Sequence, residues 1–197
     1  TGASTALIAG LGSGATFPVG TTTETYEVTD VAGNATSCSF TVTVVDAEAP
    51  VITCLSNITV NNDAGMCDAV VAYAAPVGTD NCTGASTALI AGLGSGATFP
   101  MGVTTETYEV TDGVGNATSC SFTVTVVDAE APVITCPSDI SSCNPIVNYS
   151  APVGTDNCTG ATTAMIAGLG SGASFPIGTT TETYEVTDGA GNATSCS

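Results

Sequence analysis

Short stretches in which apolar and polar residues alternate recur along this chain, separated by turns rich in glycine, asparagine and aspartate. In Ser119–Asp128, Phe122, Val124 and Val126 share one face, and threonines fill much of the other. A period of two is typical of a β-strand with one buried and one solvated face. In the same repeat the pattern predicts strands over Pro50–Cys54, Cys67–Val77, Ser86–Leu93 and Thr104–Asp112, and a short extended segment over Ala97–Gly102.

The strand pattern is itself repeated. The stretch that begins at Thr1 recurs nearly unchanged from Thr83 and, slightly altered, from Thr159. A repeat of about 80 residues is too long for a solenoid unit and suits a small β-sandwich domain. We therefore expect a window of a longer tandem array. Its expected segments are the C-terminal part of a repeat at 1–46, a complete repeat at 47–127, and a repeat lacking its last strand at 128–197.

The charge of the chain excludes several classes of function. It has no Lys, Arg or His and 18 Asp plus Glu, which gives a formal net charge of −18. Without cationic side chains there is no basic patch for nucleic acid, and no side-chain salt bridge can form. At 43% hydrophobic residues the chain can still build cores. We expect no nucleic-acid partner.

Catalysis is also disfavoured by the residues present. A serine nucleophile needs a base, and this chain has no His or Lys to serve as one. The carboxylates recur at every repeat junction, which suits architecture better than a single active site. The sequence therefore predicts that the protein is not an enzyme and requires no cofactor. No apolar run is long enough to span a membrane in this segment.

The nine cysteines indicate disulfides and an oxidising compartment. The competing interpretation is a zinc site, but the chain has neither CxxC spacing nor histidine. A redox-active thiol is disfavoured for the same reason, since no neighbouring base is present to lower a thiol pKa. Structural disulfides are the favoured interpretation.

The motifs of the repeat occur in a fixed order that resembles a known family. They include "DAEAPVITCPSDI", "APVGTDNC", "GLGSGATFP" and "TSCSFTVTV". In combination they closely resemble the hyalin repeat (HYR) module, and the resemblance covers the whole chain. It implies tandem immunoglobulin-like or fibronectin-III-like β-sandwiches, an all-β fold, in extracellular proteins that are often adhesive or matrix-forming. It does not imply catalysis.

Two departures from the family pattern stand out. Leu55 follows its cysteine where Pro137 keeps the usual "CP". Glu24, Glu106 and Glu182 lie on the apolar face of the "ETYEV" strand, where a hydrophobic residue is more usual. Two interpretations stay open for these glutamates, a position at the rim of the sandwich or a neutral buried carboxyl.

The layout implied by the resemblance also suggests a disulfide pairing with two bonds per repeat. The first and second strands would run in opposite directions, with one cysteine pair beside the loop that joins them. The second pair would lie at the opposite end of the sandwich. Each bond is expected to stabilise its repeat by roughly 2–4 kcal/mol. The expected pairs are Cys54–Cys67, Cys82–Cys120, Cys136–Cys143 and Cys158–Cys196, with the partner of Cys38 outside the chain.

In the same layout, acidic and amide side chains converge at each repeat junction. Oxygen ligands on loops suit Ca²⁺, which takes six to eight of them. The alternative is turn chemistry, because Asp and Asn fit such turns for backbone reasons alone. Both interpretations stay open. The candidate calcium ligands are Asp46, Glu48, Asp80, Asp112 and Asn116 at the first junction and Asp128, Glu130, Asp156, Asp188 and Asn192 at the second.

Seven Asn-X-Ser/Thr sequons make N-glycosylation a further expectation, although abundant Ser and Thr produce such triplets by chance. Those in the "GNAT" turns are expected to be exposed, and those beside cysteines to be less accessible. The favoured acceptors are Asn34, Asn57, Asn116, Asn148 and Asn192, and the disfavoured ones are Asn81 and Asn157.

Together these features predict a secreted or cell-surface structural protein whose repeats form an extended stalk, fibre or filament. The expected partners are neighbouring repeats or like chains, and glycans. The alternative is a cell-surface adhesin that binds a glycan or protein partner through its repeats. A binding module would be expected to expose an aromatic platform, and this chain has no Trp.

Overall fold

A computed structural model describes residues 2–197, and their regular secondary structure consists of β-strands. No helix with the length and hydropathy of a membrane span occurs in these residues. The predicted all-β fold is therefore confirmed. The twelve strands are β1 (Ser4–Ala9), β2 (Gly20–Thr29), β3 (Ala35–Val44), β4 (Ile58–Asn61), β5 (Asp68–Val71), β6 (Ser86–Ala91), β7 (Ala97–Pro100), β8 (Gly102–Thr111), β9 (Ala117–Val127), β10 (Thr162–Ala167), β11 (Thr183–Thr187) and β12 (Ala193–Cys196).

An arrangement of three adjacent strands in one sheet recurs in each repeat, and the middle repeat has further strands. The first repeat has a sheet of order β1-β2-β3, and the third has the equivalent sheet β10-β11-β12. The middle repeat has a four-stranded sheet of order β4-β9-β8-β6 and a two-stranded sheet of β5 and β7. The two sheets of the middle repeat make it an immunoglobulin-like β-sandwich.

The described residues form two compact units, and the boundary between them cuts across β6, β8 and β9. One unit comprises residues 2–53, Val77–Ala88 and Glu109–Ser119, and the other comprises Cys54–Pro76, Leu89–Tyr108 and Cys120–Ser197. The linker between the first two repeats lies in the former unit, and the linker between the last two lies in the latter.

The core of the second unit follows the predicted alternation on β9. Phe122, Val124 and Val126 are buried. The Phe122 ring lies parallel to Tyr108 and edge-on to Tyr73, with ring centroids 6.3 Å and 5.2 Å apart. Such aromatic pairs add to the stabilisation that burial of apolar area provides.

The sheet of the first repeat presents the same apolar residues but leaves them more exposed than in the middle repeat. Phe40 corresponds in the repeat to Phe122, yet it is 52% exposed where Phe122 is 2% exposed. Tyr26 stacks beside it with ring centroids 6.3 Å apart. One apolar face of β1–β3 therefore lacks, among the described residues, the covering that the middle repeat has.

The stretch between Cys54 and Cys67 differs from the sequence prediction. The predicted first strand, Pro50–Cys54, forms only a two-residue bridge between Val51 and Thr79. An unpredicted strand, β4, follows and pairs in parallel with β9, with Ile58 opposite Val124 and Asn61 opposite Val127. Four residues are too few for their alternation to identify such a strand.

Candidate functional site

The first joint between repeats consists of the linker 46–49 together with two loops that contact it. The side-chain amide of Asn116 donates to the carbonyl oxygens of Asp46 at 3.3 Å and Glu48 at 3.1 Å. The same amide donates to Asp112 Oδ2 at 2.7 Å. One asparagine thus ties the linker backbone to the turn before the last strand of the next repeat.

Asp112 holds that turn in place. Its Oδ1 accepts the backbone N–H groups of Val114, Gly115 and Asn116 at 2.7–2.9 Å. Desolvation opposes ionisation, but the hydrogen bonds from the Asn116 side chain and the three N–H groups outweigh it and lower the pKa of Asp112. Both oxygens of the Asp112 carboxylate therefore accept hydrogen bonds from the turn.

The second joint repeats this arrangement. The Asn192 amide donates to the carbonyl oxygen of Asp128 at 3.2 Å and to Asp188 Oδ2 at 2.7 Å. Asp188 Oδ1 accepts the N–H groups of Ala190, Gly191 and Asn192. These hydrogen bonds outweigh desolvation and lower the pKa of Asp188. Because the same contacts occur at both joints, they belong to the repeat and not to one site.

Replacing Asn116 by alanine is expected to loosen the first joint. The substitution removes three hydrogen bonds of a half-buried amide, so the free energy of unfolding should fall by about 1–2 kcal/mol. Thermal unfolding measures this change, and limited proteolysis with a glutamate-specific protease should report faster cleavage after Glu48. Asn34→Ala is the matched control, since the Asn34 amide bonds only Asp30 in its own turn. Equal effects of the two substitutions would contradict the joint role.

The candidate calcium ligands are brought together at each joint, but four of them are already engaged. Asp112, Asn116, Asp188 and Asn192 serve the turns, as the turn-chemistry alternative expects. What remains within 4.8 Å is one Asp–Asp–Cys group per joint. A neutral or disulfide-bonded cysteine is not a hard oxygen ligand. The two groups are Asp46, Asp80 and Cys82, and Asp128, Asp156 and Cys158.

Calcium binding stays a prediction, and it can be decided on this chain. Asp156 Oδ1 is buried without a hydrogen-bond partner, so a cation there would satisfy an orphaned oxygen. The calcium hypothesis expects heat on calorimetric titration and a raised melting temperature, both reduced in Asp156→Asn. The absence of heat and of any shift in melting temperature would contradict it.

The disulfides differ from the predicted pairing. The structure joins Cys54 to Cys120 and Cys136 to Cys196 within their repeats, and Cys67 to Cys158 across the second joint. The expected pairs Cys54–Cys67, Cys82–Cys120, Cys136–Cys143 and Cys158–Cys196 are therefore wrong. Among the described residues, the unpaired cysteines are Cys38, Cys82 and Cys143.

Strand β4 is the physical reason for the difference. It runs parallel to β9 and carries the chain from the Cys120 end of that strand to its far end at Val127. Cys54 and Cys67 consequently lie at opposite ends of the sheet. Cys67 is left beside the linker of the next repeat, where Cys158 is within reach at a Cα–Cα distance of 5.0 Å.

The loop of the middle repeat that joins β4 to β5, residues 62–67, contacts the second joint around this disulfide. Gly65 N–H donates to Glu130 Oε2 at 2.7 Å, and Asn157 Nδ2 donates to the Met66 carbonyl oxygen at 2.6 Å. Ala129 N–H donates to Asn62 Oδ1 at 3.0 Å. The joint therefore combines three hydrogen bonds with one covalent bond. Sequence reasoning missed this contact because the loop looked like part of a simple strand connection.

The glutamates on the apolar strand face are hydrogen-bonded; Glu24 and Glu106 are buried and Glu182 is half-buried. Glu106 is 0% exposed. It accepts the N–H groups of Leu93 and Gly94 and the hydroxyl of Tyr73, each at 2.8 Å. Gly92 has φ 110°, and a Cβ there would collide with the Glu106 carboxylate. We call this arrangement the glutamate clamp, and it explains why the "GLG" motif accompanies each of these glutamates.

The clamp recurs in the other repeats. Glu182 accepts from Leu169 N–H, Gly170 N–H and the Tyr149 hydroxyl, each at 2.8 Å. Glu24 accepts only from Leu11 and Gly12 N–H groups, with no tyrosine donor among the described residues. The rim interpretation is wrong for Glu106, because its side chain lies in the interior.

The clamps and turns predict how stability depends on pH at the acid end. The backbone hydrogen bond from Leu169 is the largest cause that lowers the pKa of Glu182, against opposing desolvation. Asp112 and Asp188 also have lowered pKa values. A lowered folded-state pKa contributes stability that is full above the unfolded value of about 4 and is lost as pH falls through the folded value.

At the alkaline end the tyrosines of the clamps act with the opposite sign. Burial, followed by hydrogen bonds with Tyr108 and Glu106, raises the pKa of Tyr73, and the equivalent contacts raise that of Tyr149. This contribution is full below about pH 10 and is lost above it. Melting temperature is expected to be flat between about pH 5 and 9 and to fall on both sides. Tyr73→Phe should weaken the alkaline fall, and an unchanged profile would count against the clamp.

The sequons occupy different environments. Asn34, Asn57 and Asn148 are exposed. The Asn116 and Asn192 amides, which would have to carry the glycan, donate hydrogen bonds within the joints. Glycosylation stays a prediction, with the exposed positions now the better candidates.

Comparison with known proteins agrees with this geometry. The sequence model of the HYR domain matches residues 2–44, 45–126 and 127–197. The chain is 35% identical over 187 residues to hyalin of Strongylocentrotus purpuratus, covering 89% of this chain and 15% of that protein. It is 36% identical over 192 residues to hyalin of Lytechinus variegatus, covering 91% and 36%.

More distant similarities extend to bacteria and to solved structures. The chain is 31% identical over 200 residues to the serine-rich adhesin for platelets of Staphylococcus aureus strain MSSA476, covering 88% of this chain and 8% of that protein. The protocadherin GammaB4 extracellular domain matches with a TM-score of 0.38 and 16% identity, covering 89% of this chain and 38% of that one.

The repeated β-sandwich with disulfides within and between repeats defines a modular, disulfide-stabilised array. The family matches together cover every described residue, and this chain belongs to the HYR domain family. The chain spans about a sixth and about a third of the length of the two hyalins.

Proposed function

We propose that the chain is a stretch of an extracellular, non-catalytic repeat protein that works as a stiff structural array. The proposal rests on one observation, that both hydrogen bonds and a disulfide connect the two repeats at the second joint. Asn192 and Asn157 hydrogen-bond across it, and Cys67–Cys158 closes it covalently. A linker fixed at several points transmits orientation from one repeat to the next, as a stalk, fibre or filament requires.

An extracellular location is supported by the chemistry of the chain. The chain has three disulfides, and disulfides are typical of proteins in oxidising environments and rare in reducing ones. The named relatives include two hyalins and an adhesin, which supports an adhesion-related role outside the cell. Neighbouring repeats and like chains are the proposed partners.

Stiffness can be tested by small-angle X-ray scattering on the full 197-residue chain. The proposal expects a scattering profile that a single extended conformer reproduces, and a profile that only an ensemble of conformers reproduces in the double variant Asn116→Ala/Asn192→Ala. Asn34→Ala is the control, because its amide makes no contact with a linker. A profile of the unmodified protein that only an ensemble reproduces would overturn the stiff array.

The second candidate is an adhesin that binds a partner through its repeats, and the platelet adhesin similarity favours it. The aromatic side chains of the middle repeat lie mainly inside, with Phe99 and Phe122 buried. A glycan array and a cell-adhesion assay with the full chain test this function. Binding that survives loss of joint stiffness would favour the adhesin over the structural array.

A further inference from the structure

The second joint shows how one repeat receives a loop of the preceding one. Three residues of the third repeat bind the loop. Glu130 accepts the Gly65 N–H, Asn157 donates to the Met66 carbonyl, and Cys158 bonds Cys67. These three residues supply an acceptor, a donor and a thiol. They fit the loop 62–67, which presents one N–H, one C=O and one cysteine.

The middle repeat has the same three residue types in the same order, namely Glu48, Asn81 and Cys82. Here they are arranged differently. Asn81 Nδ2 donates to Glu48 Oε2 at 2.6 Å, and Cys82 is unpaired. The two polar groups that face a loop at the second joint thus satisfy each other at the first.

We propose that Glu48, Asn81 and Cys82 form a socket for the cysteine-bearing β4–β5 loop of another HYR repeat. The loop binds there through an inter-repeat disulfide. The proposal deepens the structural role and rests on it only in requiring an oxidising compartment. The occupant is a loop of the 62–67 type, in the same chain or in another.

The covalent step needs an oxidant, for which a small-molecule disulfide such as oxidised glutathione suffices. The Cys82 thiol and the loop thiol each lose one proton, and together they lose two electrons. The small disulfide accepts both electrons and both protons and leaves as two thiols, while one S–S bond forms between the two protein sulfurs. On docking, the Asn81–Glu48 hydrogen bond is exchanged for one bond from each residue to the loop backbone.

The uncovered face of the first repeat supports this occupant. In the middle repeat the segment that carries the loop also supplies Tyr73, which packs on Phe122 and donates to Glu106. In the first repeat Phe40 is 52% exposed, and Glu24 has no tyrosine donor among residues 2–197. A segment of the 51–78 type would cover that face and bring its cysteine-bearing loop with it.

The test uses the full chain and an isotope-labelled synthetic peptide of residues 51–78 with Cys54→Ser, so that only the loop cysteine can react. After equilibration in a glutathione redox buffer, the chain is digested with a glutamate-specific protease and mapped by mass spectrometry. We expect at least tenfold more mixed disulfide at Cys82 than at Cys143, an exposed thiol with no such socket. The variants Asn81→Ala and Glu48→Gln should abolish most of that preference.

A peptide of the same composition in scrambled order is the control for general thiol reactivity. Equal capture at Cys82 and Cys143, capture of the scrambled peptide at the same level, or no capture at all would each overturn the socket. The scattering experiment tests the stiff array independently of this capture experiment. A flexible chain that still captures the peptide at Cys82 would retain the socket and lose the proposed mechanical role.

Discussion

Replacing Glu106 by alanine is expected to lower the free energy of unfolding of the middle repeat by about 3–5 kcal/mol, because it breaks a buried hydrogen-bond network and removes a large buried side chain. The side chain is 0% exposed, and its carboxylate accepts two backbone N–H groups and one hydroxyl. Its removal leaves the Leu93 and Gly94 N–H groups without acceptors, takes one of two hydrogen-bond partners from the Tyr73 hydroxyl, and creates a cavity.

A second variant separates the contribution of the hydrogen-bond acceptors from that of side-chain volume. Glu106→Gln keeps the volume, but its neutral amide can accept on only one of the two oxygen positions, so it should recover only part of the loss. Glu109→Gln, on the same strand, is the matched control; Glu109 is less buried and is not part of a clamp. It should change stability by less than about 0.5 kcal/mol.

Thermal and denaturant unfolding of the full chain measure all three variants. A loss of 3 kcal/mol corresponds to a fall of more than ~10 °C in the melting temperature of a domain this small. If Glu106→Ala melted within a few degrees of the unmodified protein, the glutamate clamp would not be a main stabilising element of the repeat.

The second large effect is expected from the Cys54→Ala/Cys120→Ala double variant. The bond joins residues 66 positions apart. Closing a loop of that length restricts the unfolded chain enough to stabilise the fold by about 4 kcal/mol in the chain-entropy account. Unfolding of the middle repeat at a correspondingly lower denaturant concentration is the expected result.

Cys143→Ala is the control, because that thiol is exposed and unpaired. Non-reducing peptide mapping provides an independent check of the connectivity. Cys67→Ala should leave Cys54 and Cys120 joined and release Cys158 as a free thiol. A map in which Cys67→Ala instead released Cys54 would restore the pairing within the loop and contradict this arrangement.

The parts of the fold that the sequence predicts are those with a repeated local signal. Alternation located β9 and the core residues Phe122, Val124 and Val126, because side-chain period is a property of neighbouring residues. The convergence of acidic loops at each joint was also predicted, since it follows from the order of strands in the sandwich.

The parts that it does not predict depend on contacts distant in sequence. Strand β4 pairs with β9, whose residues lie 66 positions further along the chain, and the four residues of β4 carry no local signal of this pairing. The cysteine pairing depends on β4 and was therefore wrong as well. Buried Glu106 looked anomalous because its donors, Leu93 and Gly94, lie in a turn whose geometry is set by glycines and not by any charge.

The Cys54–Cys120 bond also limits how far the array can be stretched. A pulling force applied from Asp46 to Asp128 follows the covalent path through this bond and bypasses the 65 residues between the two cysteines. Those residues would otherwise release roughly 230 Å of contour at ~3.5 Å each. Even if the middle repeat lost its fold under tension, an oxidised array would lengthen little, whereas reduction would turn each repeat into an extensible element.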